Sequence, residues 1–211
     1  MWPRAITDAV SGLLRLDERM LWRMDVRDGA REVYLTFDDG PVPEVTPWVL
    51  DTLMDLGVKA TFFCIGKNIA AHPDLFARLK SEGHGTGNHT WDHPNGWETA
   101  PRAFYRSVLA CQEFTGTRLF RPPYGRITNR QLGALAKRFT VVMWDVLAYD
   151  FEDRYTDKSR VEEVIRHTRP GSIIVFHDSV KCSDRMRRSM PSVVERLLSD
   201  GYRFAVLPGA L

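Results

Sequence analysis

The chain has 211 residues, 44% of them hydrophobic and 27% charged, which suits one globular domain with a full core. Its 29 basic and 27 acidic side chains leave a net charge of +2, too balanced for a nucleic-acid binder. No run approaches the roughly 18 apolar residues that would span a bilayer, and Arg4, Asp8, Arg15 and Asp17 break any signal-like segment, so a cytoplasmic location is expected.

In chain order, residues 1–31 read as an N-terminal extension packing on the domain formed by residues 32–211. Its weakly amphipathic series Leu13, Leu14, Leu16, Met20, Leu21 and Trp22 fits a cap on the fold or a contact with a membrane surface. From Glu32 onward strand and helix alternate. Apolar runs predict strands at Glu32–Asp39, Ala60–Gly66, His84–Thr90, Leu119–Gly125, Thr140–Val146, Ser172–Asp178 and Tyr202–Leu207. Helices are expected between them at Val45–Leu56, Lys67–Glu82, Pro101–Phe114, Asn129–Arg138, Thr156–Thr168 and Ser189–Asp200. Gly57, Gly83 and Gly201 sit where helices commonly end, and Asp157 and Ser189 suit helix N-caps.

This βαβ rhythm means a helix-covered parallel sheet, and residues 32–211 show no linker that would divide them. Two closures fit: an open doubly wound sheet, or a distorted parallel (β/α) barrel of about seven strands. The chemistry-bearing residues discriminate between them. Asp38-Asp39, His89, Arg121-Pro122-Pro123-Tyr124, Trp144-Asp145 and His177-Asp178 all fall at C-terminal strand ends, which a barrel gathers at one mouth. The barrel is therefore expected.

Asp38 and Asp39 end an apolar strand and run into Gly40-Pro41, a turn that could be no more than an acidic strand terminator. His89 and His93 stand at i, i+4 spacing; on one helical turn they would face the same way. Two surface histidines are the ordinary reading of that spacing. A carboxylate added to two imidazoles, however, is the ligand set of an open divalent-metal site, and a second carboxylate beside it can take a proton from water. Arg121 lies beside a stiff Pro-Pro turn and could hold Asp38 ionised, or the prolines could simply stop the strand. His177 follows the buried run Ile173-Ile174-Val175-Phe176 and is either a satisfied core histidine or a proton donor that Asp150 orients. Trp91 and Trp97 could stack on sugars or pack beneath their loop. Arg185-Met186-Arg187-Arg188 is a solvated basic face or an anionic-substrate contact. Cys64, Cys111 and Cys182 are too few and too scattered for a disulfide framework.

Taken together, these motifs resemble the polysaccharide deacetylases of carbohydrate esterase family four, which share the NodB homology domain. The resemblance runs from about Glu32 to Leu207 and includes five motifs in order: Thr36-Phe-Asp-Asp-Gly-Pro41, His89-Thr-Trp-Asp-His93, Arg121-Pro-Pro-Tyr124, Asp150-Phe151 and Val175-Phe-His177. It implies a NodB-like barrel, Asp38 as catalytic base, and Asp39, His89 and His93 as metal ligands. It further implies that Arg121 holds Asp38, that the Tyr124 backbone N–H helps form an oxyanion hole, and that Asp150 tunes the acid His177. Phe151 would wall the substrate groove where the family usually has Trp, and Val175 would line the acetyl-methyl pocket where it usually has Leu. The Pro-Val-Pro-Glu-Val-Thr-Pro stretch at 41–47 and Phe-His-Asp-Ser around His177 resemble a short bacterial subgroup. The implied activity is removal of N-acetyl groups from an amino-sugar glycan with one divalent ion, Zn²⁺ by ligand type, with Co²⁺, Mn²⁺ and Ni²⁺ also compatible. Hydrolysis of a small non-peptide amide and carbohydrate binding without turnover stand as alternatives. No nucleic-acid partner is expected, and the oligomeric state is left open.

Overall fold

The structure, a computed structural model, describes residues 17–210. Of the N-terminal amphipathic series, Leu13, Leu14 and Leu16 lie outside the described residues. Met20–Leu21 forms a short strand, β1, parallel to β6 (Thr140–Val142). The remaining strands are β2 (Glu32–Asp38), β3 (Thr61–Cys64), β4 (Gly85–Asn88), β5 (Leu119–Phe120), β7 (Val146–Leu147), β8 (Ile173–His177) and β9 (Arg203–Phe204). They pair in parallel in the order β1-β6-β5-β4-β3-β2-β8-β7, with β9 added beside the start of β2. The sheet curls into a distorted barrel of eight strands along this path rather than about seven.

β9, in the expected Tyr202–Leu207 run, lies off the path, and two strands on it are unexpected: β1 and one half of the apolar run expected as a single strand at Thr140–Val146. The run breaks at Met143–Asp145 and serves two edges. β6 pairs with β5 and β1, whereas β7 pairs with β8. An antiparallel bridge from Arg23 to Ser172 draws the same two edges together at the base. Each half of the run thus satisfies its backbone on a different neighbour, which a parallel sheet needs when it closes on itself.

The central strand β2 is buried on both faces from Val33 to Asp38. Alternation sends Val33, Leu35 and Phe37 outward, into a core shared with α1 (Thr46–Asp55) and α7 (Ser183–Ser199). Thr36 and Asp38 face inward. A second core packs α4 (Pro101–Thr115) and α5 (Asn129–Leu135) on β5 and β6 through Phe104, Val108, Phe120 and Val141.

Three helix expectations need correction. Lys67–Glu82 is two helices, α2 (Gly66–Ala71) and α3 (Pro73–Ser81), because Pro73 bars helical geometry at His72. The last helix, α7, begins at Ser183, so Ser189 is not its N-cap; Ser189 lies inside and its hydroxyl donates to the Arg185 carbonyl at 2.7 Å. The helix carries Pro191 in its interior, close to where the sequence suggests a start. For α6 (Asp157–His167) the cap is Thr156, whose hydroxyl accepts from Ser159 N–H, and Asp157 occupies the first turn. Gly57, Gly83 and Gly201 do take the left-handed conformation expected of them. The three cysteines are free and buried.

Candidate active site

β2 delivers Asp38 to the barrel mouth, almost fully buried, where the Arg121 guanidinium donates to its Oδ1 at 2.6 Å. Arg121 follows β5 and has no solvent-exposed surface. It also donates to Thr36 Oγ1 and to the Val142 and Met143 carbonyls, and it lies 4.0 Å above the Phe63 ring. A cation so completely enclosed can serve as a fixed clamp for one carboxylate oxygen.

A regular strand would send Asp39 to the opposite face. Its left-handed backbone (φ 86°) breaks that alternation and turns the residue to the same mouth. The turn is lashed down by Asn68 Nδ2, which donates to the Asp39 carbonyl, and by Asp178 behind Gly40. Asp178 accepts from Gly40 N–H at 3.0 Å and from the Thr46 hydroxyl at 2.6 Å. A Cβ on Gly40 would overlap that carboxylate, so only glycine allows the approach. Burial, with Asp39 nearby, pushes the Asp178 carboxyl up to about 8. In the sequence Asp178 stands out only as the neighbour of His177, and Thr46 and Asn68 not at all; these are long-range partners that a sequence pattern does not announce.

His89 and His93 do not share a helical turn. They lie in the loop after β4, where Thr90 (φ 68°) and His93 (φ 58°) adopt left-handed geometry and bring the imidazoles together. The loop is held by Thr90 N–H donating to Asn88 Oδ1 and His93 N–H donating to Thr90 Oγ1. His89 Nδ1 faces the Arg121 carbonyl at 2.8 Å. Because a carbonyl only accepts, Nδ1 carries the proton and Nε2 is left with its lone pair. His89 Nε2 and His93 Nε2 lie 3.7 and 3.2 Å from Asp39 Oδ1. All three ligand atoms fall within 4.8 Å of one another. Asp39 Oδ1 is buried and accepts no hydrogen bond, a costly arrangement for an anion unless a cation joins it. Burial pushes His89 down to about 4, keeping it neutral, as a metal ligand must be. Burial alone would raise the Asp39 carboxyl, but the His93, His177 and His89 imidazoles overrule it and hold it well below the usual carboxylate range. The residues fit a divalent ion.

Across the mouth, His177 is the register partner of Asp38 in the adjacent parallel strand. Its Nδ1 lies 2.8 Å from Asp150 Oδ1, and its backbone N–H donates to Asp150 Oδ2. Burial would lower this imidazole; the fully buried Asp150 carboxylate reverses the effect and lifts it to about 9. The Phe151 ring stands edge-on to His177 at 5.5 Å, and Val175, two residues back on the same strand face, is buried. Tyr124, left-handed and 61% exposed, sets its ring 4.5 Å from that of His93. Of the two tryptophans, Trp97 is exposed, whereas Trp91 packs against Phe114 of α4. Asp145 is not at the mouth at all. Its carboxylate accepts from Ser172 Oγ and Ile173 N–H at the start of β8, the opposite end of the barrel.

The family model described as Polysaccharide deacetylase matches residues 25–144. The chain belongs to the polysaccharide deacetylase family. It is 34% identical, over 84% of its own length and 67% of the relative's, to a peptidoglycan-N-acetylglucosamine deacetylase of Bacillus cereus. It is 36% identical to a chitooligosaccharide deacetylase of a Bradyrhizobium species, covering 85% and 90% of the two chains. Against a 36%-identical peptidoglycan-N-acetylglucosamine deacetylase of Listeria monocytogenes it covers 84% of itself but spans only 38% of the relative. Its fold superposes with a TM-score of 0.84 and 28% identity on a crystal structure of a peptidoglycan N-acetylglucosamine deacetylase bound to 4-naphthalen-1-yl-N-oxidanyl-benzamide, covering 100% and 97% of the two chains. The matched family segment ends before Asp150 and His177, so in this chain those two residues join the candidate site through the fold. Among the described residues no helix is long and apolar enough to cross a membrane.

Proposed function

We propose that the protein hydrolyses N-acetyl groups of an amino-sugar-containing glycan, with Asp38 as general base and His177 as general acid. The observation that carries this reading is the side-by-side register of Asp38 and His177 at the rim where Asp39, His89 and His93 converge. A divalent ion held by Asp39, His89 and His93, Zn²⁺ by donor type, supplies carbonyl polarisation and an acidified water when bound. The chain supplies the rest. Arg121 holds and aims Asp38, so that it can take the proton of the attacking water. The Tyr124 N–H stabilises the oxyanion that develops as the amide carbon becomes tetrahedral; one such donor contributes about 3 kcal/mol. His177, held protonated by Asp150, gives its proton to the departing sugar amine. Phe151 walls the substrate groove, and Val175 lines the pocket for the acetyl methyl.

The test is acetate release from a panel of N-acetylated sugars and small amides, with chelated and Zn²⁺-reloaded protein run in parallel. Metal-dependent release from the sugars is expected. Release from the small amides alone would replace the glycan reading. Glycan binding by the loaded protein without release from any substrate would make it a binding protein.

A further inference from the structure

The basic cluster that stands out in the sequence is consumed internally. Arg185 donates to the Asp150 and Lys181 carbonyls and pairs with Asp153; Arg188 pairs with Asp157; Arg187 donates to the Glu44 carbonyl and Ser183 and lies over Trp48. Met186, between them, is fully buried. A different and solitary arginine is left with capacity.

Arg126 lies 5.0 Å above the Trp97 ring and 5.8 Å above the Tyr124 ring, and Tyr124 in turn touches the metal-ligand candidate His93. Two aromatic rings therefore lie within cation–π range of the guanidinium. Its N–H edge donates to no acceptor and pairs with no carboxylate among the described residues. The two rings hold the guanidinium by cation–π contact and leave its donors free for a bidentate carboxylate contact. The platform is built rather than incidental. Gln131, fully buried, donates through Nε2 to the Gly96 and Thr99 carbonyls and holds the Trp97 loop. Trp97 Nε1 donates to the Ile127 carbonyl, and a Cβ on Gly96 would overlap the Arg126 carbonyl, so the two loops meet at backbone distance.

We propose that Trp97, Arg126 and Tyr124 form a subsite for a carboxylate-bearing sugar next to the N-acetylated residue being hydrolysed. The protein would thus select acidic amino-sugar glycans over neutral ones. Trp97, 47% exposed, offers its open face to the sugar ring, and Arg126 takes the carboxylate. This inference rests on the deacetylase reading above.

Its test is a ratio. Acetate release (kcat/KM) is measured on three oligomers of matched length: one alternating N-acetylglucosamine with a lactyl-ether sugar acid, the same oligomer with its carboxyls reduced to alcohols, and one alternating N-acetylated sugar with a uronate. Wild type is expected to prefer at least one acidic oligomer over the reduced one by about tenfold at low ionic strength, less at high salt. The arm that shows the preference identifies which acidic sugar carries the carboxylate. Arg126→Gln should bring the ratio near one, and Arg126→Lys, a point charge without the fork, should leave an intermediate ratio. Because each ratio is taken within one variant, partial unfolding cancels. A wild-type ratio near one, or an undiminished ratio in Arg126→Gln, overturns the subsite while leaving the deacetylase reading intact. Release from none of the oligomers, nor from the wider panel of acetylated sugars, overturns both.

Discussion

Asp38 and Asp39 are chemically identical neighbours that the fold places in opposite circumstances. One is clamped by a buried guanidinium; the other holds an oxygen with no hydrogen bond toward two imidazoles. That difference supports the proposed division into base and ligand, and it is testable. Asp38→Asn should lower turnover by about 10²–10⁴-fold, the scale of a positioned general base, while metal analysis still finds one ion per chain. A variant that keeps full activity would remove Asp38 from the mechanism. His177 offers a second test, through pH. Its imidazole must be protonated to act as an acid, and with Asp150 opposing burial it loses its proton only near 9. Asp150→Asn leaves burial unopposed, so the alkaline limb of the kcat profile should move to lower pH. An unmoved limb would show that Asp150 does not tune the acid. The same pairing also contributes stability, complete below the ordinary histidine pKa and lost as pH rises through about 9. Asp38, Asp39, His89 and His177 are legible in the sequence because each is a chemically reactive residue at a strand end, and His93 because of its spacing from His89. Arg126 and Asp178 are not, since their significance comes from rings and a turn brought in from distant segments.

At the scale of elements, local signals succeed where local physics decides the outcome. The left-handed glycines after α1, α3 and α7 end helices where expected. Pro73 splits one helix, a break the sequence contains but apolar periodicity runs across. The spacing of His89 and His93 misleads for the same kind of reason: i, i+4 suggests a helical turn, whereas Asn88 and Thr90 side chains bond the backbone and build a loop instead. The helix that supports the aromatic platform can be probed directly. In α5 the Thr128 hydroxyl caps Gln131 N–H and the Gln131 side chain returns to Thr128 N–H, a reciprocal capping box. Thr128→Ala should cost about 1 kcal/mol, a fall of about 2–4 °C in the melting temperature of a chain this size. A calorimetric scan showing no change would mean that tertiary packing alone fixes the start of that helix.

For the whole molecule, closure is inferred from where the reactive residues fall, and the barrel bears it out. How it closes is hidden, because Thr140–Val146 reads as one largely apolar run, interrupted only by Asp145, whose two halves bond to different neighbours. That closure sets Asp39, at the end of β2, opposite the His89–His93 loop after β4, with β3 between the two strands. An ion held by these residues would tie together segments far apart in sequence and bind only the folded chain. At a thousandfold excess over its dissociation constant such an ion adds about 4 kcal/mol, or about 8–16 °C in melting temperature. Chelation should therefore lower the melting temperature by that order, and reloading should restore it. His89→Ala should abolish the metal-dependent rise, since two ligands cannot replace three. If wild type melts at the same temperature with chelator and with excess Zn²⁺, the three residues do not form a metal centre, and the orphaned Asp39 oxygen requires a different partner.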